Sequence, residues 1–193
     1  IPAMVLLMRM IKSTRFIERL ENAKSIKEIK EILYETEMEV AFWMESIIKR
    51  ECIVFDIDEK EKEKAILELV KKLKNQGNIT DTEMFLEDVL AREKLSPTSL
   101  GNDIGLPHGR TENVLKPAVC FGRLKNKILW NEETGEFAQI IILIAVPSND
   151  EENTHMKIIS RLARKLMHKE FIDKLFIGDE EEIFNMLKEG LGE

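Results

Sequence analysis

The chain has 193 residues, 44% apolar and 34% charged, with 29 Lys and Arg against 36 Asp and Glu for a net charge of −7. This is a globular composition with enough apolar material for a core and a length of one domain or slightly more. The longest apolar run, Ile140 to Val146, is seven residues against about 20 for a membrane span, and the negative charge argues against nucleic-acid binding by counterion release. Two cysteines, Cys52 and Cys120, are too few for a disulfide framework or a four-cysteine zinc site. No basic segment followed by a cleavage site marks a secretory signal. The expectation is a reduced, cytoplasmic α/β protein without metal or cofactor. The first residue is Ile1, not Met, as in a segment cut from a longer polypeptide.

Residues 1–50 carry nine Lys and Arg against eight Asp and Glu and lack Gly, whereas the rest has 20 against 28. The first part reads as two helices. Ser25-Ile-Lys-Glu28 has the form of a capping box, and Ile26, Ile29, Ile32 and Leu33, then Val40, Met44, Ile47 and Ile48, recur at helical spacing. Two readings stay open for this extension: a helical hairpin packed on a neighbour, or a connector or dimerisation arm of a larger protein.

At residue 51 the pattern changes. Cys52 to Ile57 is a short apolar, β-branched run and is expected to be a strand. Ala65, Ile66, Leu69, Val70 and Leu73 predict a helix ending near Gly77. Thr80-Asp-Thr-Glu83 predicts a second capped helix, carrying Met84, Phe85, Val89 and Leu90. Ser96 to Arg110 reads as loop with at most a short strand. Pro117–Leu124 and Phe137–Val146 read as strands, the second central because it is apolar on both faces. From Asn153 a helix follows with Met156, Ile159, Ala163, Leu166 and Met167 on one face. Ile172, Leu175 and Phe176 extend the pattern, and a short helix closes the chain over Glu180–Lys188. The expected fold is α/β: a mixed central β-sheet flanked by helices over 51–193, with a helical extension over 1–50.

Three histidines are present. His108 stands between turn-permitting glycines and the stiff Pro107, a setting that presents an imidazole at a surface. Function and a plain loop histidine are evenly balanced there on spacing alone. His155 opens the helix after Asn153, where unpaired N–H groups and the helix dipole suit an anion such as phosphate; an ordinary first-turn surface residue is the simpler reading. His168, beside Lys165 and Lys169, is accounted for by a helix C-terminus. Arg92 has the fork that clamps phosphate oxygens, although a lone helix-end arginine is usually solvated. Cys52 and Cys120 read as packing residues. No HxxxH or HExxH spacing supports a metal site.

Ala91-Arg-Glu-Lys-Leu-Ser-Pro-Thr-Ser-Leu-Gly-Asn-Asp-Ile-Gly-Leu-Pro-His-Gly-Arg110 resembles the signature of the enzyme IIA domains of the bacterial sugar phosphotransferase system, of the mannitol/fructose/nitrogen-regulatory type. The likeness continues through Trp130, Ile144-Ala-Val-Pro147 and His155-Met, and covers residues 51 to 190. It implies that His108 carries a phosphoryl group received from the carrier protein HPr. In transport members the group passes on to an enzyme IIB cysteine and then to sugar; a regulatory phospho-domain acting on a target protein is the alternative. It further implies Arg92 and His155 as charge-stabilising partners, gathered near His108 in a shallow, solvent-open depression, with a hydroxyl from Thr98 in support. Asp103 adds a negative charge five residues before His108, where a small or neutral residue is common in the family. Gly105 stands where the family usually has Ala, an exchange expected to be neutral. A homodimer through residues 1–50 is compatible with the extension.

Overall fold

A computed structural model describes residues 14–34, 47–149 and 154–192. The chain divides into two compact units, residues 1–45 with 192–193, and residues 46–191.

In the first unit, helix α1 (Thr14–Glu21) is followed by helix α2 over residues 26–34. The serine half of the expected capping box is present, and the return bond of the glutamate goes one residue further back, to Lys24. Ser25 Oγ accepts from the Glu28 N–H at 3.1 Å, and Glu28 reaches back to the N–H of Lys24 at 2.6 Å. Ile32 is buried against Ile17, Leu20, Ala23 and Leu33. Val40 and Met44, which were expected to continue the stripe, lie outside the described residues. Ile48 does not continue it: it begins a strand, three residues ahead of the change of pattern at 51.

The second unit runs β1 (Ile48–Ile57), α3 (Lys62–Asn75), α4 (Thr82–Leu95), β2 (Ile104–Gly105), β3 (His108–Thr111), β4 (Ala118–Asn131), β5 (Glu136–Pro147), α5 (Thr154–Lys165), α6 (Lys169–Ile177) and α7 (Glu180–Gly192). The five strands make one mixed sheet in the order β1-β4-β5-β2, with β3 also on β5. β4 and β5 are an antiparallel hairpin. β1 runs parallel to β4, and β2 and β3 run parallel to β5. The central place of β5 explains its uninterrupted apolar run. Ile141, Leu143 and Ala145 join the core shared with α3 and α4, while Ile140, Ile142 and Ile144 are buried on the opposite face, and α5 packs on this strand.

Four local expectations are corrected. The cap of α4 is Asp81, whose carboxylate accepts from the Met84 N–H at 2.9 Å, while the Thr80 hydroxyl bonds to the Asn113 carbonyl. β4 continues seven residues past Leu124 through exposed Lys125, Asn126 and Lys127, a polar stretch that hides the strand from an apolar pattern. The expected apolar face of α5 is not the buried one: Met156 and Met167 are 60% and 82% exposed, and burial falls on Ile158, Arg161 and Leu162. The arginine breaks the stripe in sequence, yet its Nη1 donates to the Leu191 carbonyl. His168 caps the start of α6 in extended conformation as well as following α5.

Candidate functional site

α4 and the strand β3 lie against each other, and Gly109 is the reason they can. A Cβ on Gly109 would stand 2.7 Å from the Phe85 ring, closer than such contacts allow, and a tight 3.2 Å from Val89. Phe85 and Val89 share one face of α4, so the next turn of that helix, with Arg92 and Glu93, arrives beside the residue preceding Gly109, which is His108.

The segment between them is held by its own backbone. Three successive residues, Gly101, Asn102 and Asp103, have φ of 72°, 52° and 56°, a left-handed stretch that glycine and asparagine or aspartate accept. The Leu100 N–H donates to the Ile104 carbonyl at 2.9 Å, and the Leu106 N–H to the Thr98 carbonyl at 2.9 Å. His108 then enters β3 opposite Ile144. The segment is therefore not a plain loop: it contains β2, and His108 is the first residue of a strand.

The imidazole is more enclosed than expected, with His108 9% exposed. Its Nδ1 lies 3.1 Å from the Leu106 carbonyl oxygen. A carbonyl only accepts, so in the neutral ring Nδ1 carries the proton and the lone pair is at Nε2. Burial lowers the pKa of His108, and the positive charge of Arg92 lowers it further, against opposing contributions from the Leu106 carbonyl and the Glu93 carboxylate. The ordinary value is near 6.5, so at neutral pH the ring is uncharged and nucleophilic.

Arg92 is half-buried, and its Nη1 donates to the Ser96 carbonyl at 3.0 Å, which holds the guanidinium at the end of α4. The Thr98 hydroxyl, expected to face a phosphate, donates to Glu93 Oε1. Asp103 directs its charge to Lys127 at 3.7 Å. His155 is the second residue of α5; the position of its side chain, and hence its approach to His108, lies outside the described residues. Cys52 and Cys120 are buried free thiols; burial pushes the Cys120 thiol well up, which suits packing at that position, while the hydrogen bond with Cys120 lowers the pKa of the Cys52 thiol. Among the described residues no three His, Cys, Asp or Glu side chains are grouped to hold a metal ion, and no helix is long and apolar enough to cross a membrane.

One residue escaped the sequence reading, and the expectation for another is corrected. Glu93 is a buried carboxylate, 2% exposed, although a glutamate in a charged helix end reads as solvated. Gly105 is not interchangeable with alanine here: a Cβ would lie 2.5 Å from Trp130 Cε2 and 2.6 Å from Cζ2. Its place next to a buried tryptophan, not its size class, makes it specific.

A neutral imidazole with its lone pair at Nε2, beside an arginine, is equipped to accept and release a phosphoryl group. Residues 46–190 match the family model described as phosphoenolpyruvate-dependent sugar phosphotransferase system, EIIA 2. Over 115 residues the chain is 39% identical to the fructose-like EIIA component of Escherichia coli (strain K12), covering 60% of this chain and 77% of that one. It spans only 21% of the fructose-specific EIIABC component of Bacillus subtilis (strain 168). Among solved structures, the nitrogen regulatory protein IIA-Ntr of Neisseria meningitidis superposes with a TM-score of 0.67 at 26% identity, over 73% of this chain and 96% of that one. Enzyme IIA-mannitol, in complex with phosphorylated enzyme IIB-mannitol from Escherichia coli, does so with a TM-score of 0.63 at 28% identity, over 73% and 98%. The fold, the Pro-His-Gly strand entry and these likenesses agree: the chain belongs to the type-2 EIIA family of the sugar phosphotransferase system.

Proposed function

We propose that this protein carries a phosphoryl group on His108, taken from phosphorylated HPr and passed to a cysteine of an enzyme IIB domain for sugar uptake in the cytoplasm. The observation that carries the reading is the Nδ1–H bond to the Leu106 carbonyl, which sets the lone pair at Nε2 in a ring kept neutral. In the first step Nε2 bonds to phosphorus as the N–P bond of the donor phosphohistidine breaks, and the donor imidazole leaves. In the second, a thiolate attacks and His108 leaves. Transfer of this kind rests on positioning and charge stabilisation. Arg92 is the positive group beside the phosphoryl oxygens, His155 assists from the start of α5, and Thr98 supports the site through its loop. That enzyme IIA-mannitol pairs with phosphorylated enzyme IIB supports the acceptor.

The test is labelling by phospho-HPr. Wild type is expected to gain an acid-labile, base-stable phosphate, and His108→Ala none. Clear labelling of His108→Ala contradicts the reading. A second reading, a regulatory domain acting on a target protein, is favoured by the likeness to nitrogen regulatory IIA-Ntr and by the first unit. Its exposed Ile26 and Tyr34 suit a connector or dimerisation arm. Delivery of the phosphate from His108 to an enzyme IIB domain favours transport; retention on His108 in the presence of enzyme IIB favours regulation.

A further inference from the structure

Glu93 is an ionic side chain withdrawn from water, a position that is costly unless its oxygens are satisfied. They are. The Thr98 N–H donates to Oε2 at 3.3 Å and the Thr98 hydroxyl to Oε1. Lys62, the first residue of α3, places Nζ 3.4 Å from Oε2 and donates also to the Trp130 carbonyl at 2.8 Å. Thr98 is thus gripped at its amide and its hydroxyl. Its remaining backbone group, the carbonyl, accepts the Leu106 N–H at 2.9 Å, and the Leu106 carbonyl accepts from His108 Nδ1 at 3.1 Å. A continuous series of hydrogen bonds runs from the buried carboxylate to the imidazole: Glu93, Thr98, Leu106, His108.

We propose that Glu93 is a positioning residue for phosphoryl transfer: by holding Thr98 it orients the Leu106 carbonyl, which fixes the ring and tautomer of His108. Lys62 is its counter-ion. The inference rests on His108 as the phosphoryl acceptor, but its first readout does not need transfer to occur. In the full chain labelled with 15N-histidine, wild-type His108 is expected to show the Nδ1–H form as the dominant neutral tautomer. Glu93→Ala and Thr98→Val are expected to erode that dominance and to slow transfer from phospho-HPr, by up to about 100-fold for Glu93→Ala, with the donor KM unchanged. Glu93→Gln, which keeps an oxygen for Thr98, is expected to recover at least tenfold of the loss. The Glu93→Ala, Thr98→Val pair is expected to be no slower than Glu93→Ala alone, since coupled residues do not add. Wild-type tautomer and rate in Thr98→Val, multiplied losses in the double variant, or no recovery in Glu93→Gln each overturn the proposal. If Glu93→Ala does not fold, Thr98→Val and Glu93→Gln decide it. Failure of wild type to accept phosphate removes the carrier reading and leaves the tautomer measurement standing as the test of Glu93.

Discussion

α3 and α4 are neighbours of equal length, 14 residues each, packed against one sheet, and they are built for different ends. α3 buries Ala65, Ile66, Leu69, Val70 and Leu73 completely, one apolar stripe at regular helical spacing. α4 buries Phe85 and Val89, and then, where a third apolar residue would continue the stripe, it buries Glu93. Its final turn gives up core packing to bury a carboxylate, held by Thr98 and Lys62, and to bring the charge of Arg92 near His108. The contrast is between a helix whose buried face is wholly apolar and one that carries a polar group inward.

One substitution in each helix should separate the two. Leu69→Ala is expected to lower unfolding free energy by about 2–5 kcal/mol, the cost of a truncated, fully buried leucine, read from urea unfolding. Phosphoryl transfer per folded molecule should stay within about twofold. Arg92→Ala is expected to do the reverse. Transfer should slow by about 10²–10³, the loss usual for one preorganised charge-stabilising donor, with unfolding changed by less than about 1 kcal/mol. A large stability loss in Arg92→Ala, or a large rate loss in Leu69→Ala, breaks the division between the helices.

Gly105→Ala sharpens it from the sheet side. The added methyl meets the Trp130 indole, so a destabilisation of about 1–3 kcal/mol is expected from overpacking, accompanied by a change in Trp130 fluorescence. Neutral behaviour would mean that the indole moves without cost.

The smallest effect concerns pH. Because His108 is depressed below its ordinary value by burial and by Arg92, the neutral nucleophile predominates above about pH 6.5, and transfer should fall only as pH drops through the lower folded-state value. The unfolded chain binds the proton more readily than the folded one, so stability linked to His108 is present above about pH 6.5 and is lost as pH falls below it. Arg92→Ala removes a repelling charge and is expected to move the midpoint of the pH–rate profile upward. A downward movement would place the guanidinium elsewhere.

What could be read in the sequence follows the same contrast. α3 and β5 were legible because each obeys a single rule, helical period or continuous apolarity; in the Pro-His-Gly segment the motif was legible but its setting was not, since Gly105 and Gly109 lie in strands and serve close packing instead of turns. Glu93 was not, since pattern reading assigns charged residues to solvent, and only tertiary contacts from Thr98 and Lys62 make its burial tolerable. Arg161 misled in the same way on α5. Gly105 was misread because its requirement comes from Trp130, 25 positions away in the chain. The enclosure of His108 depends on α4 approaching through Gly109, a contact between segments that spacing alone does not reveal.

The central claim, that the Leu106 carbonyl leaves Nε2 of His108 as the phosphoryl-accepting nitrogen, is tested most directly by 15N and 31P NMR of the 15N-histidine-labelled chain after treatment with phospho-HPr. The account predicts 31P coupling to Nε2 of His108, with Nδ1 still protonated. Phosphate on Nδ1, or on a residue other than His108, would contradict it.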